Sequence, residues 1–88
     1  MSSAELALPL TNSIAVDSSS LATVAYDERG VLQVEFLDRT VYQYLAVPRK
    51  TYDELCRAES KGGHFNRYIR NNRFAWVKLP TPEERHLG

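Results

Sequence analysis

Between Val31 and Leu45, two short runs alternate apolar and polar residues across a loop short enough to join only neighbouring antiparallel strands. Leu32, Val34 and Phe36 alternate with Gln33 and Glu35, and Tyr42 and Tyr44 flank Gln43. A two-residue turn at Asp38-Arg39 would set Tyr42 and Tyr44 beside Glu35 and Gln33, mixing polar and apolar side chains on each face. A three-residue loop, Leu37 to Arg39, pairs Phe36 with Thr40 and Val34 with Tyr42. It collects Leu32, Val34, Phe36, Tyr42 and Tyr44 on one face and Gln33, Glu35 and Gln43 on the other. A slip of one residue turns a whole strand over, so the pattern selects the three-residue loop. Such a loop ends on a residue at positive φ, a position suited to Gly; here it is Arg39.

The β-branched and aromatic runs at 21–26, 31–36 and 40–45 predict a three-stranded meander. Val47-Pro48 opens a helix over about 48–60, since Pro fits a first turn, and Tyr52, Leu55 and Cys56 lie on its sheet-facing stripe. Gly62-Gly63 is expected to end it. A second helix runs from about His64 to Asn71, with Phe65, Tyr68 and Ile69 as its apolar stripe. Residues 74–79 form a fourth strand or an extended strap. The expectation is therefore an α+β fold: an antiparallel three- to four-stranded β-meander packed with two short helices and preceded by an N-terminal arm. Residues 1–18 are the arm, 19–79 the domain and 80–88 a charged tail. The arm lacks a steady period, and its leucines suit packing along the sheet, packing across a dimer, or remaining flexible.

Charge is segregated along this chain. Its 11 basic and 11 acidic residues cancel. Residues 1–60 hold five basic against nine acidic groups, whereas residues 61–78 hold Lys61, Arg67, Arg70, Arg73 and Lys78 with no carboxylate. Such a segment points to an anionic partner, against the plainer reading of a solvated polar face. Arg and Asn suit bidentate contacts with base edges. On an exposed helix face, Asn66/Arg70 and Arg67/Asn71 would form two i, i+4 pairs directed at one groove. The rings of Phe65, Tyr68, Phe74 and Trp76 interleave with these charges and offer stacking on unpaired bases. Their spacing fits core positions better. Tyr42 and Tyr44 are sheet residues whose hydroxyls are secondary candidates for contact.

Catalytic and metal chemistry find little support. Cys56 lies on an apolar helix stripe, where it acts as a small hydrophobe, and His64 lies beyond that helix. One Cys and two His make no accepted metal-ligand spacing. Lys61-Gly62-Gly63 lacks the spacing of a phosphate-binding P-loop. Asp53-Glu54 and Glu83-Glu84 are sequence neighbours whose side chains diverge. No cofactor is expected. No apolar run approaches the roughly 20 residues that span a bilayer, and the beginning of the sequence does not resemble a signal peptide. A lone Cys suits a reducing compartment, so a cytoplasmic protein without membrane contact is expected. Eighty-eight residues give a small core, which favours a homodimer.

The ordered series Val24-Ala25-Tyr26, Leu32-Gln33-Val34-Glu35-Phe36, Tyr42-Gln43-Tyr44, Val47-Pro48, Tyr52, Leu55, Ala58, Ser60, Gly62, Phe65-Asn66 and Ile69-Arg70 resembles the KTSC domain. That module occurs at the C-terminus of some lysyl-tRNA synthetases and as stand-alone bacterial proteins, and the central Tyr-X-Tyr is its hallmark. The resemblance covers about residues 19–79. Arg39 and Ala25 depart from it, since the family carries Gly there. The resemblance implies RNA binding through the synthetase context, without carrying a tRNA role to this chain.

Together these readings lead to a non-catalytic nucleic-acid-binding protein for duplex DNA or RNA. Lys61, Arg67, Arg70, Arg73 and Lys78 are its phosphate contacts, and Asn66 and Asn71 its base readers. The alternative is a dimeric protein–protein interaction module with an acidic protein partner.

Overall fold

The structure is a computed structural model and describes residues 8–80. The expectations for residues 1–7 and for the tail beyond Pro80 lie outside the described residues. Five strands form one antiparallel sheet in chain order: β1 (Ile14–Ala15), β2 (Leu21–Asp27), β3 (Val31–Phe36), β4 (Val41–Tyr44) and β5 (Trp76–Leu79). Between β4 and β5 the chain makes α1 (Arg49–Arg57) and α2 (Lys61–Phe65), and α2 runs without a break into one π-helical turn (Asn66–Arg70). The expected α+β meander is present, with residues 74–79 supplying a fourth strand and the arm a fifth. Among the described residues no helix is long and apolar enough to cross a membrane.

The β3–β4 register is the one the alternation selects: Leu32 opposes Tyr44, Gln33 opposes Gln43 and Val34 opposes Tyr42. The loop closes through Phe36 N–H to Thr40 O (2.9 Å) and Arg39 N–H to Phe36 O (2.9 Å). Arg39 stands at φ +77°. The Asp38 carboxylate accepts from the Thr40 amide and hydroxyl and so fastens the loop. The β2–β3 hairpin uses the same device, with Gly30 at φ +97° as the left-handed residue. Gly30 also packs closely: a Cβ there would stand 3.4 Å from Ala46 Cα. Ala46 is itself left-handed (φ +59°), which the sequence did not signal, and the next amide, Val47 N–H, donates to Gly30 O.

The helices cover one sheet face. Leu55, Phe65 and Ile69 pack with Val24, Tyr26, Leu32, Val34 and Tyr44, and Tyr52 and Cys56 lie against the same core, as the helical stripe predicts. Tyr52 stacks on Tyr26 (5.0 Å between centroids), and burial followed by contact with Cys56 pushes its phenol up to about 12.

Two expectations about the helices are corrected. Gly62-Gly63 does not end α1, because Ala58 is already extended (φ −69°, ψ 141°). The second helix begins at Lys61 rather than His64, because the Ser60 hydroxyl caps it by accepting from Gly63 N–H (3.2 Å). Gly62 serves close approach instead: a Cβ there would come within 2.4 Å of Ser20 Oγ.

The second sheet face is closed by the arm, which packs along the sheet. Gln43 Nε2 donates to Gln33 Oε1 (2.9 Å) and to Leu8 O (2.8 Å). Leu10 N–H donates to Gln33 Oε1 (2.8 Å), and Asn12 Nδ2 to Tyr26 O (2.9 Å). Residues 8–12 thus pass over β4, β3 and β2 in turn before β1 pairs with β2. Both glutamines are buried, at 6% and 5% exposure.

Arg39→Gly should raise thermal stability, since relief of a left-handed non-glycine residue contributes about 1 kcal/mol, or roughly 4–8 °C in a domain of this size. An unchanged or lower melting temperature would count against the loop geometry. Gln43→Leu leaves the Leu8 carbonyl without its donor and should cost about 1–3 kcal/mol in chemical denaturation.

Candidate nucleic-acid interface

The basic segment folds so that its charges separate. Asn71 N–H donates to Asn66 O (3.1 Å), five residues back, which marks the π turn. Phe65 and Ile69 keep their inward positions, while Arg67 and Arg70 part company. The Arg70 guanidinium lies 5.5 Å from the ring centres of both Phe36 and Phe65, at the sheet. Arg67 instead lies over the Tyr68 ring (5.7 Å). Asn66, Arg67, Arg70, Asn71, Arg73 and Lys78 are all exposed. The two i, i+4 pairs do not form one row aimed at a groove, however, because Arg70 turns to the sheet. Lys61 is half-buried and donates from Nζ to Ala58 O (2.9 Å) at the end of α1. Asn72, not singled out by sequence, fastens the end of the turn by donating to Tyr68 O and accepting from Arg73 N–H.

Arg70 meets the part of the sheet that the helices leave open. In the β4–β5 register Trp76 opposes Tyr44 and Lys78 opposes Tyr42, so these four share the helix-side face. Tyr44 is buried beneath Phe65, Tyr42 is half-buried, and Trp76 is 57% exposed. The Tyr42 ring contacts those of Trp76 (5.4 Å) and Phe36 (5.9 Å). Burial raises the Tyr44 phenol, and the neighbouring Arg70 charge opposes that rise. Trp76 is thus exposed rather than core, and Tyr68, 47% exposed and against His64, is not core either. Two hollows open on this face. One, of about 290 Å³, is bounded by Tyr42, Tyr44, Arg70 and Trp76. The other, of about 430 Å³, runs from Tyr42 and Arg70 past Phe36 to Leu37, Asp38, Thr40 and Ser20.

Ion pairs occur at two arginines of the acidic part of the chain, and Arg39, Lys50 and Arg57 form none among the described residues. Arg29 pairs with Asp27, and Arg49 with Glu28 and Asp53, all in the acidic part of the chain. Arg67, Arg70 and Arg73 form no ion pair among the described residues. Hydrogen bonds from Thr40 hold the Asp38 carboxyl below the usual carboxylate range, and the nearby Lys78 charge adds to this.

The family model described as the KTSC domain matches residues 17–74. This chain belongs to the KTSC domain family. A crystal structure of a KTSC domain protein from Yersinia pestis superposes with a TM-score of 0.73 at 30% identity, covering 78% of this chain and 97% of that one. A protein of Stutzerimonas stutzeri is 36% identical over 67 residues, 75% of this chain and 94% of that protein. A lysine–tRNA ligase of Nostoc punctiforme is 34% identical over 55 residues, 61% of this chain and 10% of the ligase. The chain therefore corresponds to a small part of that ligase.

The KTSC hallmark Tyr42-Gln43-Tyr44 now has a physical reading. Its tyrosines line the helix-side face, and its glutamine is the buried donor beneath the arm. Of the two departures from the family, Arg39 adopts the left-handed backbone that Gly would favour, and Ala25 is fully buried within β2.

Tyr68→Ala should leave the domain folded, with a stability loss within about 0.5 kcal/mol of zero by denaturant titration, as for exposed positions generally. Loss of cooperative unfolding would return that ring to the core.

Proposed function

We propose that this KTSC domain is a non-catalytic nucleic-acid-binding protein whose contact surface joins the π turn to the open β4–β5 face. The observation that carries this reading is the division of charge. Residues 61–78 hold five basic side chains and no carboxylate. Arg67, Arg70 and Arg73 form no ion pair among the described residues, whereas Arg29 and Arg49 pair with acidic residues of their own part of the chain. Exposed guanidinium groups beside an exposed indole suit a polyanion that also presents flat rings. The shared segment in a protein named for ligating lysine to tRNA agrees with this direction. Arg67 and Arg73 serve as phosphate contacts, Arg70 reaches the groove, and Asn66 and Asn71 are neighbouring base-edge donors. Lys78 adds positive charge close to Tyr42, its partner in register.

A second reading, a dimeric protein–protein interaction module, is favoured by one observation. Trp76 and Val77 are exposed apolar residues on the edge strand β5, a composition that also suits a protein surface.

Fluorescence anisotropy with duplex DNA, single-stranded DNA and structured RNA over a salt series separates the two. Saturable binding that weakens steeply with salt is expected. Arg67→Ala combined with Arg73→Ala should weaken it and lower the salt slope by roughly 2 without changing the melting temperature. Absence of binding to every probe at low salt would leave the protein-interaction reading.

A further inference from the structure

We propose that the groove along Tyr42 and Arg70 seats two successive unpaired nucleotides, so that the domain selects single strands over duplex; this rests on the nucleic-acid reading above. The two hollows are adjacent, and Tyr42 and Arg70 border both. On one side the base platform is Trp76, tilted 59° against Tyr42 and 57% exposed. A tryptophan left largely open on a sheet face offers a π-surface on which a base can stack. On the other side the apolar wall is Phe36 with Leu37, which is 58% exposed at the hairpin tip.

Arg70 supplies what a nucleotide pair needs at the junction. Its guanidinium is held over the faces of Phe36 and Phe65 at 5.5 Å. Stacking engages the flat face of a guanidinium; one of its in-plane donors is directed at the Tyr44 hydroxyl, and the others suit a phosphate linking two bases. The Asp38 carboxylate on the rim stays ionised, because the Thr40 amide and hydroxyl favour its charged form. A phosphate therefore sits at the Arg70 end of the groove, and the nearby Lys78 charge partly offsets Asp38. Duplex fits poorly. Its bases are stacked on one another and cannot lie on Trp76, and the π turn presents Arg67 and Arg70 in different directions rather than as one row for a groove.

Trp76 is the sole tryptophan, so its fluorescence reports occupancy of the platform directly. The probes are oligothymidylate, oligouridylate, a mixed-sequence duplex and inorganic polyphosphate. Single strands should quench Trp76 saturably, and polyphosphate should bind without quenching. Duplex should bind about tenfold or more weakly than single strands of equal length. Trp76→Ala, a change at an exposed ring, should retain the fold by circular dichroism and keep its polyphosphate affinity. It should lose about tenfold or more for single strands by anisotropy. Arg70→Lys keeps the charge but not the planar fork, and should also weaken single-strand binding. Equal affinity for duplex and single strands, or an unchanged Trp76→Ala, would overturn the groove while leaving nucleic-acid binding standing. Failure of every nucleic-acid probe with the parent protein would remove both.

Discussion

The pairing of β4 against β3 sets nearly everything else in this molecule. With Val34 opposite Tyr42 and Gln33 opposite Gln43, each strand contributes its apolar residues to one face and its amides to the other. Moving β4 by one residue would bring glutamine under the helices and tyrosine under the arm. β5 inherits its own facing from β4, so the same choice puts Trp76 and Lys78 beside the tyrosines. The register depends on a three-residue loop closed by a left-handed arginine, and the Asp38–Thr40 hydrogen bonds help to hold it.

The two faces of the sheet are closed by different means. On one, Leu55, Phe65 and Ile69 bring apolar surface from the helices, and burial of that surface is the main contribution. On the other, an extended arm lies over two glutamines, and polar satisfaction governs. Gln43 donates to both Gln33 and the Leu8 carbonyl, while the Leu10 amide returns a donor to Gln33. Burying these groups without partners would be costly; with them, the amides fix where the arm crosses.

Much of the fold was legible because alternation is a local property. The face of every residue in β3 and β4, the positive φ at Arg39 and the inward stripe of α1 all follow from spacing. What escaped depends on distant chain. The glutamines read as the polar side of a sheet because the arm that buries them has no period of its own. Gly62-Gly63 read as a stop because nothing local announces that Ser20 approaches Gly62. Trp76 alternates like a half-buried residue, yet alternation does not say how far the helices extend, and they stop short of β5. The π turn that separates Arg67 from Arg70 carries no sequence signal of its own, so the basic residues were identifiable and their common direction was not.

The KTSC match ends before β5 and begins after the arm has crossed the sheet. Residues 17–74 are the part that the family model matches, and the closed sheet extends beyond them on both sides. Without residues 8–12, Gln33 and Gln43 lose their backbone partners to water. Without β5, the amides and carbonyls of β4 become a raw sheet edge. The span of the family model and the physical closure of the sheet have different boundaries in this protein, and the two flanking segments supply the partners that finish the domain.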